Sequence, residues 1–338
     1  MANNLCVRFV KTAVGAIDAS HFAVGTEAIP NAESGEIVVQ NAFVSLDPYQ
    51  RRQMMPNVAY ANPLNLGDVM VGRAIGQVVE TKHPDFAVGD WALGHFGWQR
   101  YTKIKASGAE KINLDGFSAS TYLGALGSPG VTAWVGLRAI AKAVSTDTVV
   151  ISAATGAVGS VAAALARTTG CRVVGIAGGQ AKCQYAVEKL GYDVCVDYRD
   201  ENFKRLLAQA TPNGIDVDFE NVGGSIFDCV LERLNDFSRI ALCGMISQYN
   251  LVEPDGMRNI AEILNKNATL QGFRVTSYPQ HRAEAQTEIK ALLRSGALKP
   301  SETFVAGLEA APQAFVDLFK GANLGKLVVR VSADLARQ

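Results

Sequence analysis

Thr148-Val149-Val150-Ile151-Ser152-Ala153-Ala154-Thr155-Gly156-Ala157-Val158-Gly159 is the stretch that decides the fold of this chain. Thr148 to Ala153 form the short apolar run of a strand buried on both faces, as in a parallel sheet. A turn follows at once. It keeps the second and third glycines of the dinucleotide fingerprint, Gly156 and Gly159, and carries Ala153 where the first stands. Gly156 lets the backbone approach a pyrophosphate, and Gly159 lets a helix pack close on the strand. Val158, Val161, Ala162 and Leu165 recur at helical spacing, which predicts a helix with one apolar face and its first amides aimed at an anion.

The second strand reads Cys171-Arg172-Val173-Val174-Gly175-Ile176-Ala177. An NAD site normally carries Asp or Glu near this strand's end, to accept from the ribose hydroxyls. Gly178-Gly179-Gln180 occupy that place here, with Lys182 just after. A carboxylate would repel a 2′-phosphate, whereas a small residue followed by an ammonium accepts one. The pattern predicts NADPH; the competing reading of Lys182 is a solvated lysine at a helix start.

The bulk numbers bound the rest. At 338 residues, two domains are expected. The 32 basic and 32 acidic residues cancel, so neither nucleic acid nor an anionic membrane is an expected partner. The first residues hold no apolar signal core and no run reaches the length of a membrane span, which predicts a cytoplasmic protein. Cys6, Cys171, Cys183, Cys195, Cys229 and Cys243 are scattered with no C-x-x-C pair, and read as small buried hydrophobes. The four histidines are dispersed and receive no role.

Residues 1–126 are rich in short strands and turns, including Glu36 to Ser45, Gly72 to Glu80 and a turn and strand from Phe86 to Gly94. They predict a β-rich, barrel-like or sandwich domain. From 127 to 299 strand-like runs alternate with helical patterns, the later strands being Asp193 to Tyr198, Gly214 to Glu220, Ser238 to Gly244 and Ala268 to Val275. Such alternation predicts a doubly wound parallel sheet, with ligands beyond the strand C-termini. Asn221 to Gly224 and Gly244 to Asn250 should therefore face the cofactor. Residues 300–338 end in a strand, Gly325 to Val331, expected to return to the first domain.

This layout, with its motifs, resembles the zinc-independent leukotriene-dehydrogenase/prostaglandin-reductase family of medium-chain dehydrogenase/reductases. Ser45-Leu46-Asp47-Pro48-Tyr49-Gln50-Arg51 is similar to the family's S-x-D-P-Y-x-R signature, and Leu123 to Trp134 to its approach to the Rossmann domain. Asn221 to Gly224, Cys243 to Asn250, Gln271 to Val275 and Asn323 to Val328 match its later loops. Leu46-Asp47 and Gly72-Arg73-Ala74 stand where zinc-dependent relatives carry ligands. The resemblance implies an α/β fold: a Rossmann doubly wound sheet plus a β-rich, GroES-like catalytic domain.

It also implies roles. Gly156, Ala157, Val158 and Gly159 would contact pyrophosphate, Lys182 the 2′-phosphate, and Tyr198 would lie beside the same phosphate or the adenosine ribose. Asn221 would contact the cofactor, the loop Cys243-Gly244-Met245-Ile246-Ser247-Gln248-Tyr249 would lie over the nicotinamide side with Phe273, Arg274 and Val275 next to it, and Asn323 would make a carboxamide-side contact. The implied reaction is NADPH-dependent reduction of the C=C bond of an α,β-unsaturated ketone or aldehyde. Tyr49, Tyr249 and Tyr278 are the candidate hydroxyl donors to the enolate, each neutral at pH 7. Tyr49 has an alternative as a turn residue after Pro48. Met54, Met55, Tyr60, Trp134 and Tyr278 are expected to shape the substrate cleft, with Trp134 and Ser128 departing from common family residues. Rival readings are a quinone reductase and a non-catalytic NADPH-binding protein. A homodimer is expected, paired through the strand at Ala268 to Val275.

Overall fold

The computed structural model describes residues 3–55 and 63–335, so Tyr60 lies outside the described residues. The chain divides into two compact units, Met1–Leu123 with Glu302–Gln338, and Gly124–Ser301.

The first unit is mostly antiparallel. Its strands are β1 (Asn4–Phe9), β2 (Phe22–Glu27), β3 (Glu36–Ser45), β4 (Ala74–Thr81), β5 (Trp91–Gly94), β6 (Tyr101–Lys105) and β7 (Ala109–Ile112). A short helix, α1 (Tyr49–Gln53), follows β3. The ten residues of β3 make it the hub, pairing with both β4 and β6.

The second unit opens on α2 (Ser128–Trp134) and then alternates strand and helix. In order come β8 (Thr148–Ser152), α3 (Gly159–Thr169), β9 (Arg172–Ala177), α4 (Gln180–Tyr185), β10 (Val194–Asp197), α5 (Phe203–Ala210), β11 (Ile215–Glu220), α6 (Gly224–Leu231), β12 (Leu234–Leu242), α7 (Ala261–Asn265), β13 (Thr269–Gly272) and α8 (Arg282–Ser295). The strands form one parallel sheet in the order β10-β9-β8-β11-β12-β13. Strand order reverses between β8 and β11, which makes their C-terminal ends the ligand-binding crevice of a doubly wound sheet. Every residue of β8 is buried, as a central strand covered on both faces requires.

Two elements differ from the sequence expectation. α3 does not bury a single stripe: all eight residues from Gly159 to Ala166 are buried. Five of these eight are glycine or alanine, and small side chains let the helix lie close to β8, β9 and α2 at once. β12 also begins four residues before the expected Ser238, pairing Leu234 with Ile215 across a bulge in the register.

The chain returns to the first unit as β14 (Glu302–Ala306), α9 (Ala311–Leu318) and β15 (Lys326–Arg330). β15 pairs antiparallel with β3, placing Val328 opposite Ser45. Each unit has its own apolar core. In the first, Phe22 stacks on Trp98 and Phe315 meets both rings edge-on, in one cluster with Val7, Ile37 and Val329; in the second, Phe227, Val230 and Leu231 cluster with Val150, Val174 and Ile240. Among the described residues no helix is long and apolar enough to cross a membrane.

Candidate active site

The glycine turn is built on a strained residue. Ala153, standing in place of the first glycine, adopts a left-handed φ of 50°, a conformation costing an L-residue roughly 1–2 kcal/mol. The amide of Gly156 donates to the Ala153 carbonyl at 2.8 Å and closes the turn. A Cβ on Gly159 would stand 2.5 Å from that same oxygen and 2.8 Å from Ala154 O, so only glycine fits. The buried Tyr192 hydroxyl braces the turn, lying 3.0 Å from Ala154 O and 2.9 Å from Gly159 O. Gly156, Ala157 and Val158 remain partly open to solvent at the sheet's C-terminal edge.

The end of β9 carries the charge. Gly178 passes so close to Tyr198 that a Cβ would meet its hydroxyl at 2.7 Å. Gly179, at φ 98°, donates its amide to Asp197 Oδ1 at 2.8 Å, and Arg199 N–H reaches the same oxygen at 2.9 Å. Asp197, at the end of β10, is thereby occupied with backbone. Lys182 sits half-buried on α4 with no ion pair among the described residues. Desolvation, and secondly the nearby Arg199 guanidinium, pull its ammonium below the usual lysine range. A solvated lysine would show neither effect. Two cations thus crowd a glycine turn, an arrangement that an anion relieves.

Two further loops leave the strand ends. Asn221 follows β11; its amide donates to Ser152 Oγ at 2.7 Å and its side-chain Nδ2 to Ser152 O at 2.8 Å. This ties the loop to β8 across the switch point. The Cys243 to Ser247 segment is laced to the first loop, with Ile246 N–H on Asn221 O at 3.1 Å and Ser247 N–H on Val222 O at 3.0 Å. The buried Glu220 lies beneath both, and burial pushes the Cys243 thiol beside it up to about 12.

The three tyrosines fall in different settings. Tyr278 stacks on His281 (6.3 Å, 24°) and meets the edge of Phe273 (6.3 Å, 84°); its hydroxyl accepts from Gln271 Nε2 at 3.0 Å. Its own proton has no acceptor among the described residues. Tyr249 folds back so that its hydroxyl accepts a long bond, 3.4 Å, from Met245 N–H. Tyr49 belongs to the first unit and heads α1. Its hydroxyl is buried without a partner among the described residues, because the neighbouring Gln50 spends its amide on Ser45 O and Asp47 N–H. Burial, then Asp47, raises its pKa above the ordinary phenol.

Other expected residues are structural in part. Trp134 is 5% exposed, with its indole N–H on Glu288 at 2.6 Å and Arg138 on the other Glu288 oxygen. Its ring reaches outward only by packing on His281 at 5.3 Å. Met54 is fully buried in the first core, while Met55 is partly exposed. Phe273 is buried, Arg274 exposed and Val275 half-buried at the start of a short helical turn. Asn323 donates its side-chain amide to Gly325 O at 2.8 Å, ahead of β15. Lys326, 2% exposed, holds Leu46 O at 2.8 Å and Asp47 Oδ1 at 2.9 Å, so the Ser45 to Arg51 signature is pinned by the returning strand.

Comparison with known proteins follows the same division. Residues 6–112 match a family model described as the N-terminal domain of oxidoreductase, and residues 157–294 one described as zinc-binding dehydrogenase. The chain is 40% identical to the NADPH-dependent curcumin reductase of Escherichia coli, over 95% of this chain and 94% of the relative. It is 35% identical to prostaglandin reductase 1 of Rattus norvegicus, over 92% and 94%. The crystal structure of CurA in complex with NADPH from Vibrio vulnificus superposes with a TM-score of 0.93, at 39% identity, over 97% of this chain and 99% of that one. The chain belongs to the leukotriene-dehydrogenase/prostaglandin-reductase family of medium-chain dehydrogenase/reductases.

Within this member of the family, three residues of the site escape a reading of sequence. Arg199 lies two residues past β10, where a loop arginine carries no signal. Ser152 looks like one more strand residue, yet both its hydroxyl and its carbonyl hold Asn221. Glu220 was legible only as a strand end, although an acid buried directly before Asn-Val-Gly-Gly is itself a signal. Among the described residues no group of three or more His, Cys, Asp or Glu is placed to hold a metal ion, although one matching model is named for zinc.

Proposed function

We propose that this protein is an NADPH-dependent reductase of C=C bonds conjugated to a carbonyl, acting on enones or enals. The observation that carries the reading is the pairing of Lys182 and Arg199 beside an acid-free strand end, next to a glycine turn with no room for a side chain. The relatives named as curcumin, 2-alkenal and prostaglandin reductases support the same class of substrate.

The residues fit the cofactor in parts. The open backbone of Gly156, Ala157 and Val158, with Gly159 behind it, would take the pyrophosphate at the N-terminus of α3. Lys182, Arg199 and the Tyr198 hydroxyl would take the 2′-phosphate. Asn221, Cys243 to Tyr249, and Phe273, Arg274 and Val275 are assigned to the nicotinamide side, with Asn323 its carboxamide contact. Bound NADPH supplies hydride to the β-carbon of the substrate.

Charge then gathers on the substrate's carbonyl oxygen, and a neutral hydroxyl is the group suited to hold it. Tyr278 is the leading candidate, since Gln271 occupies its lone pair and leaves its proton to donate. Tyr49 also keeps a donor, and Tyr249 is assigned first to shaping its loop. A hydroxyl or water then delivers the proton to the α-carbon. Because β13 ends the parallel sheet with no further strand beside it among the described residues, the same reading includes a homodimer joined there; a monomer by light scattering would remove that element.

The test is product analysis with a 2-alkenal and NADPH deuterated at C4 of the nicotinamide. The reading expects a saturated aldehyde labelled at the β-carbon. A labelled alcohol that retains its double bond would overturn it, and turnover confined to quinones would move the protein to quinone reduction.

A further inference from the structure

Glu220 is where the two nicotinamide-side loops are tied. It is fully buried at the last position of β11. Its Oε1 accepts the amides of Val222 (2.5 Å) and Gly223 (2.6 Å), fixing the Asn221 to Gly224 turn. Its backbone oxygen accepts the amides of Cys243 (2.8 Å) and Gly244 (3.1 Å), fixing the second loop. Oε2 is buried with no hydrogen-bond partner among the described residues.

The surroundings hold no compensating cation among the described residues. Asp218, two positions back on the same strand face, is also fully buried, and neither of its oxygens has a hydrogen-bond partner among the described residues. Cys243 is the titratable group from the loop after β12, and β8 contributes the Ser152 hydroxyl. From α6, packed on β11, come Ile226 and Phe227; Asp228 of that helix gives its Oδ1 to the amides of Arg258 and Asn259. Desolvation raises the Glu220 carboxyl to about 7, against the pull of the Gly223 and Val222 amides. Asp218 is held well above its ordinary range by desolvation and then by Glu220.

We propose that Glu220 is a positioning residue for the nicotinamide end of the cofactor, its ionised carboxylate clamping the Asn221 to Gly224 turn, on which the second loop is laced through Asn221 O and Val222 O, so that NADPH binding tightens with rising pH and expels a proton. An amide bond to a carboxylate is roughly twice as strong as one to a neutral acid. A ligand that needs the loops in place therefore favours the ionised form, and by linkage lowers the proton affinity of the protein. The inference rests on the reading of these loops as cofactor-binding.

The experiment compares NADPH with 2′-phospho-ADP-ribose, which carries the pyrophosphate and the 2′-phosphate but no nicotinamide. Affinities are measured from about pH 6 to about pH 8.5 on the full chain, with protons counted by calorimetry in buffers of different ionisation enthalpy. Ionisation of the 2′-phosphate, with a pKa of about 6, is common to both ligands. The expected result is a further tightening of NADPH alone, up to about tenfold, with proton release that 2′-phospho-ADP-ribose lacks. In Glu220→Gln the NADPH profile should collapse onto that of the fragment. Identical pH profiles and proton counts for the two ligands in the unmutated protein would overturn the proposal, whatever the folding of the variant. If neither ligand bound at any pH, the cofactor reading itself would fall with it.

Discussion

A Cβ on Gly159 would lie 2.5 Å from the carbonyl oxygen of Ala153. That oxygen cannot retreat, because it also accepts the Gly156 amide and belongs to a residue already at positive φ. Replacing a helical glycine by alanine ordinarily stabilises by about 0.4–1 kcal/mol. Here Gly159→Ala should do the reverse. We expect a lower melting temperature and NADPH affinity reduced at least about tenfold, the turn having opened. An unchanged melting temperature with unchanged affinity would contradict the account of the turn.

Lys182 and Arg199 should act as one site for the extra phosphate. Lys182→Ala is expected to raise the NADPH Kd by about 10- to 100-fold, as loss of a charge-assisted contact does. The NADH Kd should change little. Arg199→Ala should do the same more weakly, since its guanidinium shares the turn with Tyr198. Equal losses for NADPH and NADH would show that these side chains support the fold rather than the phosphate.

Tyr278 is predicted to carry the enolate. Tyr278→Phe retains the stack on His281 and removes only the hydroxyl. The expectation is a fall in kcat of about 10- to 1000-fold, the range for losing one donor to an oxyanion, with the NADPH KM unaltered. Tyr249→Phe should shift KM more than kcat. A normal kcat in Tyr278→Phe would pass the role to Tyr49, whose hydroxyl is buried and unpartnered among the described residues.

The two fully buried acids of β11, Asp218 and Glu220, weigh on stability. Glu220 titrates near 7 in the fold but near 4.5 when unfolded. Its contribution is therefore complete below about pH 4.5 and is lost as pH rises through 7, by roughly 3 kcal/mol in all. Measured as the difference from Glu220→Gln, unfolding free energy should show this decline. Asp218→Val removes a carboxyl with no partner among the described residues and should stabilise at neutral pH by about 1–3 kcal/mol. Destabilisation by Asp218→Val would mean that the acid is satisfied in solution by a group the fold does not reveal.

Legibility in sequence followed local pattern. β8 and its turn could be read because a fully buried parallel strand is a continuous apolar run, and because Gly156 and Gly159 sit at a fixed offset. β3 was readable end to end, from Glu36 to Ser45, for similar reasons. α3 misled because its valine and leucine spacing suggested one face, while the alanines between them bury the other faces against neighbours far along the chain. The cation pair was half visible: Lys182 follows the strand end, but Arg199 reaches it through the adjacency of β9 and β10. Ser152 and Asn221 are 69 residues apart, and only the pairing of β8 with β11 brings them together.

The most direct test of the central claim is steady-state NADPH oxidation by the purified chain with a 2-alkenal, an aryl enone, a quinone and a saturated ketone, repeated with NADH. The account predicts turnover of the alkenal and the enone to their saturated carbonyl products, at a kcat/KM at least about tenfold higher with NADPH than with NADH. Turnover of neither, with NADPH demonstrably bound, would contradict it and leave a nucleotide-binding protein without this chemistry.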